Sequence, residues 1–253
     1  MKLARKQPRP AFVGLGQAIE KTLENPVQAR ICHDGPSPYI VAAHVGGFVP
    51  LPGRGGARNR ADRRSEAISE GAARNLIEAA RYAKRAGIPL NRFTTVHWQE
   101  ARVADDLGAL AQFLKLAGDW VRSRGGRLAY VWVRENGPRK GAHVHILLHL
   151  PPDLARAFNG RQRGWLKACG AQSRKGVLLS RPIGRSLRHG VAGGGDYQTN
   201  LGETLDYVLK GADHRARSRL GVRRCEAGGE IIGKRCGVSQ NIGPGARRAK
   251  HLW

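Results

Sequence analysis

The segment Ala142-His-Val-His-Ile-Leu-Leu-His-Leu150, closed by Pro151-Pro152, constrains the fold of this chain more than any other. Apolar residues alternating with histidines, stopped by prolines, read as a β-strand. Residues i and i+2 of a strand share a face and lie roughly 6.5–7 Å apart along it. His143 and His145 therefore point to one side, and Val144, Ile146, Leu148 and Leu150 form an apolar side opposite. His149 has the parity of the pair but sits about 13 Å from His145 along the strand, too far to share an ion with it. It is expected to be a surface or packing histidine.

A strand with one apolar side needs neighbours, and the flanking sequence supplies them. Arg92-Phe-Thr-Thr-Val-His-Trp98 and Leu128 to Arg134 read as strands, Glu135 to Gly141 as the turn between the second and third, and Gly176 to Ser180 as a further short strand. Helical spacing runs from Ala61 to Ala86, from Asp105 to Val121, from Asp153 to Cys169 with a break near Gly160, and from Asn200 to Lys210. Strands joined by a short turn pair antiparallel. The order of elements predicts an α+β fold, a central antiparallel β-sheet with flanking helices.

Composition limits the partners. The 253 residues hold 44 Lys+Arg against 19 Asp+Glu, a formal charge of +25. Such a surplus points to a polyanion, nucleic acid before an anionic membrane, since no basic amphipathic helix with an aromatic face is evident. No apolar run approaches the roughly 18 residues of a membrane span. No secretory signal follows the basic N-terminus, so a cytoplasmic protein is expected. Cys32, Cys169, Cys225 and Cys236 form no CxxC pair and are expected to be reduced thiols.

Three groups of residues can carry chemistry. If the second and third strands pair, Glu135 lies beside His143, and two imidazoles with one carboxylate make a site for Mg²⁺ or Mn²⁺. Tyr207 and Lys210 are neighbours on one helical face, and a nearby ammonium favours phenolate, a nucleophile able to form a covalent intermediate. Glu203 is expected to complete an N-terminal cap with Asn200. Trp98 and Trp132 are candidates for stacking on bases. Gly228-x-x-x-x-Gly233-Lys234 imitates a phosphate-binding loop, but Arg235 stands where Ser or Thr is needed and too little chain follows for a nucleotide-binding domain.

Taken in order, Phe93-Thr-Thr-Val-His-Trp98, then Glu135…His143-Val-His145, then Leu205-Asp-Tyr207-Val-Leu-Lys210 resemble the three motifs of HUH endonucleases. These are the rolling-circle replication initiators of plasmids and of single-stranded DNA phages and viruses. The resemblance covers about residues 90 to 212. It implies a five-stranded antiparallel sheet related to the RNA-recognition fold, with the histidine strand central and the tyrosine helix packed so that its hydroxyl faces the metal. Tyr207 follows the histidines, as in replication initiators and some transposases, and only one tyrosine lies in the motif, as in single-tyrosine members. The implied roles are metal ligation by His143, His145 and Glu135, nucleophilic attack by Tyr207, and support of the tyrosine or phosphate by Lys210. The implied partners are single-stranded or hairpin origin DNA and a host helicase and polymerase. An HUH transposase and a non-catalytic basic nucleic-acid-binding protein are the alternatives. The chain then divides into a partly disordered basic region over 1–60, with a short strand over Ile40 to Val45 and a linker from Gly46 to Gly56, a nicking domain over 61–213, and a basic, Gly-rich tail over 214–253.

Overall fold

In the computed structural model, which describes residues 62–172, 174–184 and 195–249, the alternating segment forms β4 (Gly141–Leu148) at the centre of a five-stranded sheet. Its neighbours are β2 (Arg92–His97) and β3 (Tyr130–Gly137). β5 (Leu178–Pro182) and β7 (Cys236–Val238) are the edges, giving the order β5-β2-β4-β3-β7, antiparallel throughout. The short β1 (Arg64–Ser65) and β6 (Ile231–Ile232) pair separately.

Helices cover both faces. α1 (Glu70–Arg85) and α4 (Gly195–Val208) pack on the histidine side, where Leu76, Ala80, Leu201, Leu205 and Val208 meet Phe93, Val131 and Leu147. α2 (Asp106–Arg122) and α3 (Ala155–Ala168) cover the other side, where Leu110, Phe113, Phe158 and Trp165 meet Val144, Ile146 and Leu148. The expected apolar face is thus a core face. The histidine face is a second core rather than an open surface, because Phe93 and Leu147 share its parity and bring helices onto it.

Several boundaries differ from the sequence reading. α1 begins at Glu70, not near Ala61: the Ser69 side chain accepts from Ala72 N, while Ile68 N donates to Gly211 O and Ile68 O accepts from Asp213 N. Those backbone groups are committed to a distant segment and cannot join a helix. The start of α2 is capped by Asp105, close to expectation. β3 continues through Glu135 to Gly137, so Glu135 lies in a strand and not in the turn. α3 runs unbroken through Gly160. α4 starts at Gly195, five residues before Asn200, so Glu203 caps nothing and is exposed. Asn200 instead donates to Asp196 O.

The residues read as a basic tail carry α5 (His214–Leu220), β6, β7 and α6 (Pro244–Ala249). β7 pairs with β3 through Val131↔Val238, Trp132↔Gly237 and Val133↔Cys236, completing the sheet. Arg134 fastens this segment. Its guanidinium pairs with Asp106 at the start of α2 and donates to the carbonyls of Ile232 and Lys234. The phosphate-loop lookalike is extended chain leading into β6, and Lys234 lies over the Trp132 ring. Among the described residues, Cys169, Cys225 and Cys236 are free thiols, and no helix is long and apolar enough to cross a membrane. The strand, linker and disorder expected before residue 61, Cys32, and the loop over Gly190 to Gly194 lie outside the described residues.

Candidate metal centre and nucleophile

Register places the site. Across β2, β4 and β3 one row of same-face residues is His97, His143 and Glu135; the next is Thr95, His145 and Val133. Pairing of β3 with β4 thus sets Glu135 opposite His143 on the histidine face. All three candidate ligands are buried, at 4% (Glu135), 3% (His143) and 2% (His145) exposure. Glu135 Oε2 lies 3.3 Å from His143 Nε2 and 3.8 Å from His145 Nε2. One ligand atom from each of the three lies within 4.8 Å of the others; among the described residues no other group of three His, Cys, Asp or Glu does so.

Hydrogen bonds orient both imidazoles. His143 Nδ1 is 2.8 Å from Gly141 O, where only an N–H can satisfy the carbonyl, so Nε2 keeps its lone pair. His145 Nδ1 is 2.9 Å from Thr95 Oγ1. His145 Nε2 and Glu135 Oε1 are buried without a hydrogen-bond partner. Two orphaned buried acceptors in one centre are unfavourable unless a cation joins them. The donor set, two imidazoles and a carboxylate with oriented second nitrogens, fits a divalent metal.

Electrostatics favour the ligating protonation states. Burial works against the charge of Glu135, but the contacts with His143, His145 and Lys210 outweigh it and hold its pKa down at about 2. Burial pushes His145 down to about 3 in spite of Glu135, keeping the ring neutral. Near neutral pH the centre therefore presents a carboxylate and a neutral His145.

Tyr207 lies in the last turn of α4, and its ring stands against His145 at 5.1 Å between centroids and 68° between planes, with Phe93 edge-on at 6.0 Å. Lys210 lies just past the helix end. Its ammonium is buried, pairs with Glu135, and sits 4.8 Å from the Tyr207 ring centroid. The five candidate residues thus meet in one place. The expectation of an easily ionised phenol is corrected: burial, Glu135 and Glu226 raise the pKa of Tyr207, and Arg224 and Arg181 only partly oppose them. The ammonium that was expected to favour phenolate is paired with Glu135 instead. Tyr197 is on the same helix but fully buried, its hydroxyl donating to Leu90 O at 2.9 Å, so of the two it is Tyr207 that stands at the centre.

Three neighbours were not singled out from the sequence. The His97 ring stacks on His143 at 5.3 Å, and burial followed by His143 lowers its pKa. Arg224 lies over the Tyr207 ring at 5.6 Å, and Arg181 over Phe93 at 5.5 Å, so the phenol is flanked by two guanidiniums. The strand parity of His97 was a usable signal; nothing local marks the arginines. Trp98 and Trp132 are buried at 0% and 7% exposure and are core residues, so neither is free to stack on a base. His149 is a packing histidine, with Nδ1 2.9 Å from Pro89 O.

An antiparallel α+β sheet whose central strand carries a buried two-histidine, one-carboxylate centre beside a tyrosine defines the class of site. Residues 91–210 match the model of a replication-associated protein family, the ORF2 type, over an interval that begins just before β2 and ends at Lys210. That match supports a role in replication. No curated protein and no solved structure matches the chain.

Proposed function

We propose that this protein is a replication initiator of the HUH type with a single catalytic tyrosine, which nicks single-stranded DNA through a covalent phosphotyrosine. The observation that carries this reading is the placement of the Tyr207 ring against His145, beside the Glu135–His143–His145 centre. The match over 91–210 to a replication-associated family supports the biological setting.

A divalent cation such as Mg²⁺ or Mn²⁺, held by His143, His145 and Glu135, supplies polarisation of the scissile phosphate and neutralisation of charge developing on it. The chain's own groups do the rest. The Tyr207 hydroxyl attacks phosphorus and loses its proton. A new O–P bond forms, the bond from phosphorus to the 3′-oxygen breaks, and that oxygen takes up a proton. The products are a 5′-phosphotyrosine and a free 3′-hydroxyl, which can prime synthesis or reverse the reaction. Arg224 and Arg181 flank the phenol and favour its anion, opposing the burial that disfavours it. Lys210 holds Glu135 in its ionised form.

Incubating the full chain with single-stranded DNA and Mn²⁺ should give a protein–DNA band that survives SDS. Tyr207→Phe should remove the band and leave DNA binding in place. A band of undiminished intensity from the phenylalanine variant would refute the assignment of the nucleophile.

A further inference from the structure

A cleft of about 880 Å³ lies between α3 and the edge strand β5. Arg92 and Ser180 line it, and both have the parity opposite to Phe93 and Thr95. The cleft therefore opens on the face away from the metal centre. Its charged lining residues are Arg92, Arg163, Arg174 and Lys175, and no acid lines it. Arg92 is 4% exposed and bonds only to neutral acceptors, Ser180 Oγ at 2.7 Å and Asn159 Oδ1. A buried guanidinium without a carboxylate is an uncompensated charge. Arg163 and Lys175 are exposed and pair with no acid among the described residues. Gln162 is 2% exposed; its Nε2 donates to Asn159 at 3.2 Å, while its Oε1 is buried with no partner.

Four cations without an acid call for an anion, and a buried, unpartnered amide oxygen calls for a donor on the same ligand. We infer that this cleft is a second, non-catalytic site that binds one nucleotide unit. The phosphate rests on Arg163, Arg174, Lys175 and the inner Arg92, and an N–H or O–H of the base or sugar donates to Gln162 Oε1. The volume suits a nucleotide. The geometry favours a nucleotide of a bound strand over a free one. Arg174 also lines an adjoining cleft with Arg102, Arg139 and Lys140, which reaches Gly141, two residues before His143. A strand lying on the metal centre can follow that wall round the sheet.

The test uses the full chain with a labelled 20-nucleotide single strand, measured by anisotropy over a salt series, and with adenosine 5′-monophosphate, measured by calorimetry. Gln162→Leu removes no charge, so a loss of about fivefold in strand affinity at constant salt slope reads the amide acceptor alone. The exposed pair R163E/K175E should flatten the slope of log K against log salt by about 1.4, at about 0.7 per phosphate contact. The charge-matched control K84E/R85E on α1 should change it less. If the mononucleotide binds alone and Gln162→Leu abolishes that binding, the site is supported with a free nucleotide as its ligand. If Gln162→Leu binds the strand like the native chain, R163E/K175E behaves like the control, and the mononucleotide gives no heat, the site does not exist. Adduct formation through Tyr207 is scored separately, so failure here leaves the nicking reading standing.

Discussion

Thr95 fixes which nitrogen His145 can offer: with Nδ1 engaged by the Thr95 hydroxyl, Nε2 is left to face Glu135. Outer partners of this kind are worth roughly 10–100-fold in metal affinity. Thr95→Val should therefore weaken Mn²⁺ binding by about that factor in calorimetry, with little change in melting temperature. Lys210 makes the opposite demand. Its ammonium and the Glu135 carboxylate are each 5% exposed, and removing one member of such a pair strands the other's charge at a cost of about 3–5 kcal/mol. Lys210→Met should lower the melting temperature of the metal-free protein, and added Mn²⁺ should restore much of the loss by giving Glu135 a new cation. A melting curve indifferent to Mn²⁺ in that variant would mean the carboxylate is no ligand. His149 governs a pH effect. Burial lowers its pKa below the ordinary 6.5, so the unfolded chain binds more protons than the folded one below that value. Stability due to His149 is complete above about pH 6.5 and is lost as pH falls toward the folded pKa. His149→Gln can still donate to Pro89 O but cannot titrate, and should flatten that part of the stability profile in denaturant melts at pH 5 to 7. At this scale the sequence was legible wherever period two decides orientation: His143, His145 and Glu135 are where strand parity and pairing put them. The pKa of Tyr207 was not legible, because it depends on burial and on carboxylates brought in by β3 and by the segment after α5.

Among the elements, glycine shows why boundaries were harder to read than the elements themselves. The sequence reading broke α3 at Gly160, yet the helix continues, and a Cβ there would meet nothing within 4 Å. Gly160→Ala should stabilise the protein by about 0.5–1 kcal/mol. Gly237 in β7 behaves differently. A Cβ there would lie 2.8 Å from the Trp132 ring, which the edge strand must approach closely to pair with β3. Gly237→Val should destabilise by about 1–3 kcal/mol, and equal denaturant midpoints for the two variants would contradict this account of the β7 contact. β7 itself was missed because three residues, Cys236–Val238, carry too little alternation to register against a glycine-rich background. What makes them a strand is the free edge of β3 and the Arg134 anchor, both distant in sequence. The same holds for β1, which exists only because β6 pairs with it.

For the whole molecule, the +25 charge sets how the proposed binding responds to salt, and it separates affinity from chemistry. Each phosphate neutralised on a single strand contributes about −0.7 to the slope of log K against log salt. A strand engaging about six phosphates would lose roughly 300-fold in affinity between 50 and 200 mM salt. The Glu135–His143–His145 centre is buried, and buried charges are screened far less than exposed ones. Raising salt should therefore reduce adduct formation at limiting protein but leave the single-turnover rate nearly unchanged once protein saturates the strand. Tyr207→Phe should reproduce the native salt slope in anisotropy while forming no adduct, because the phenol adds no positive charge. A shallow slope would mean that few of the 44 Lys and Arg side chains meet phosphate, and the surplus would then need a different polyanion. A steep slope shared by both proteins, with the covalent step confined to the one that keeps its hydroxyl, would assign the charged surface to capture and the buried row across β2, β4 and β3 to the chemistry.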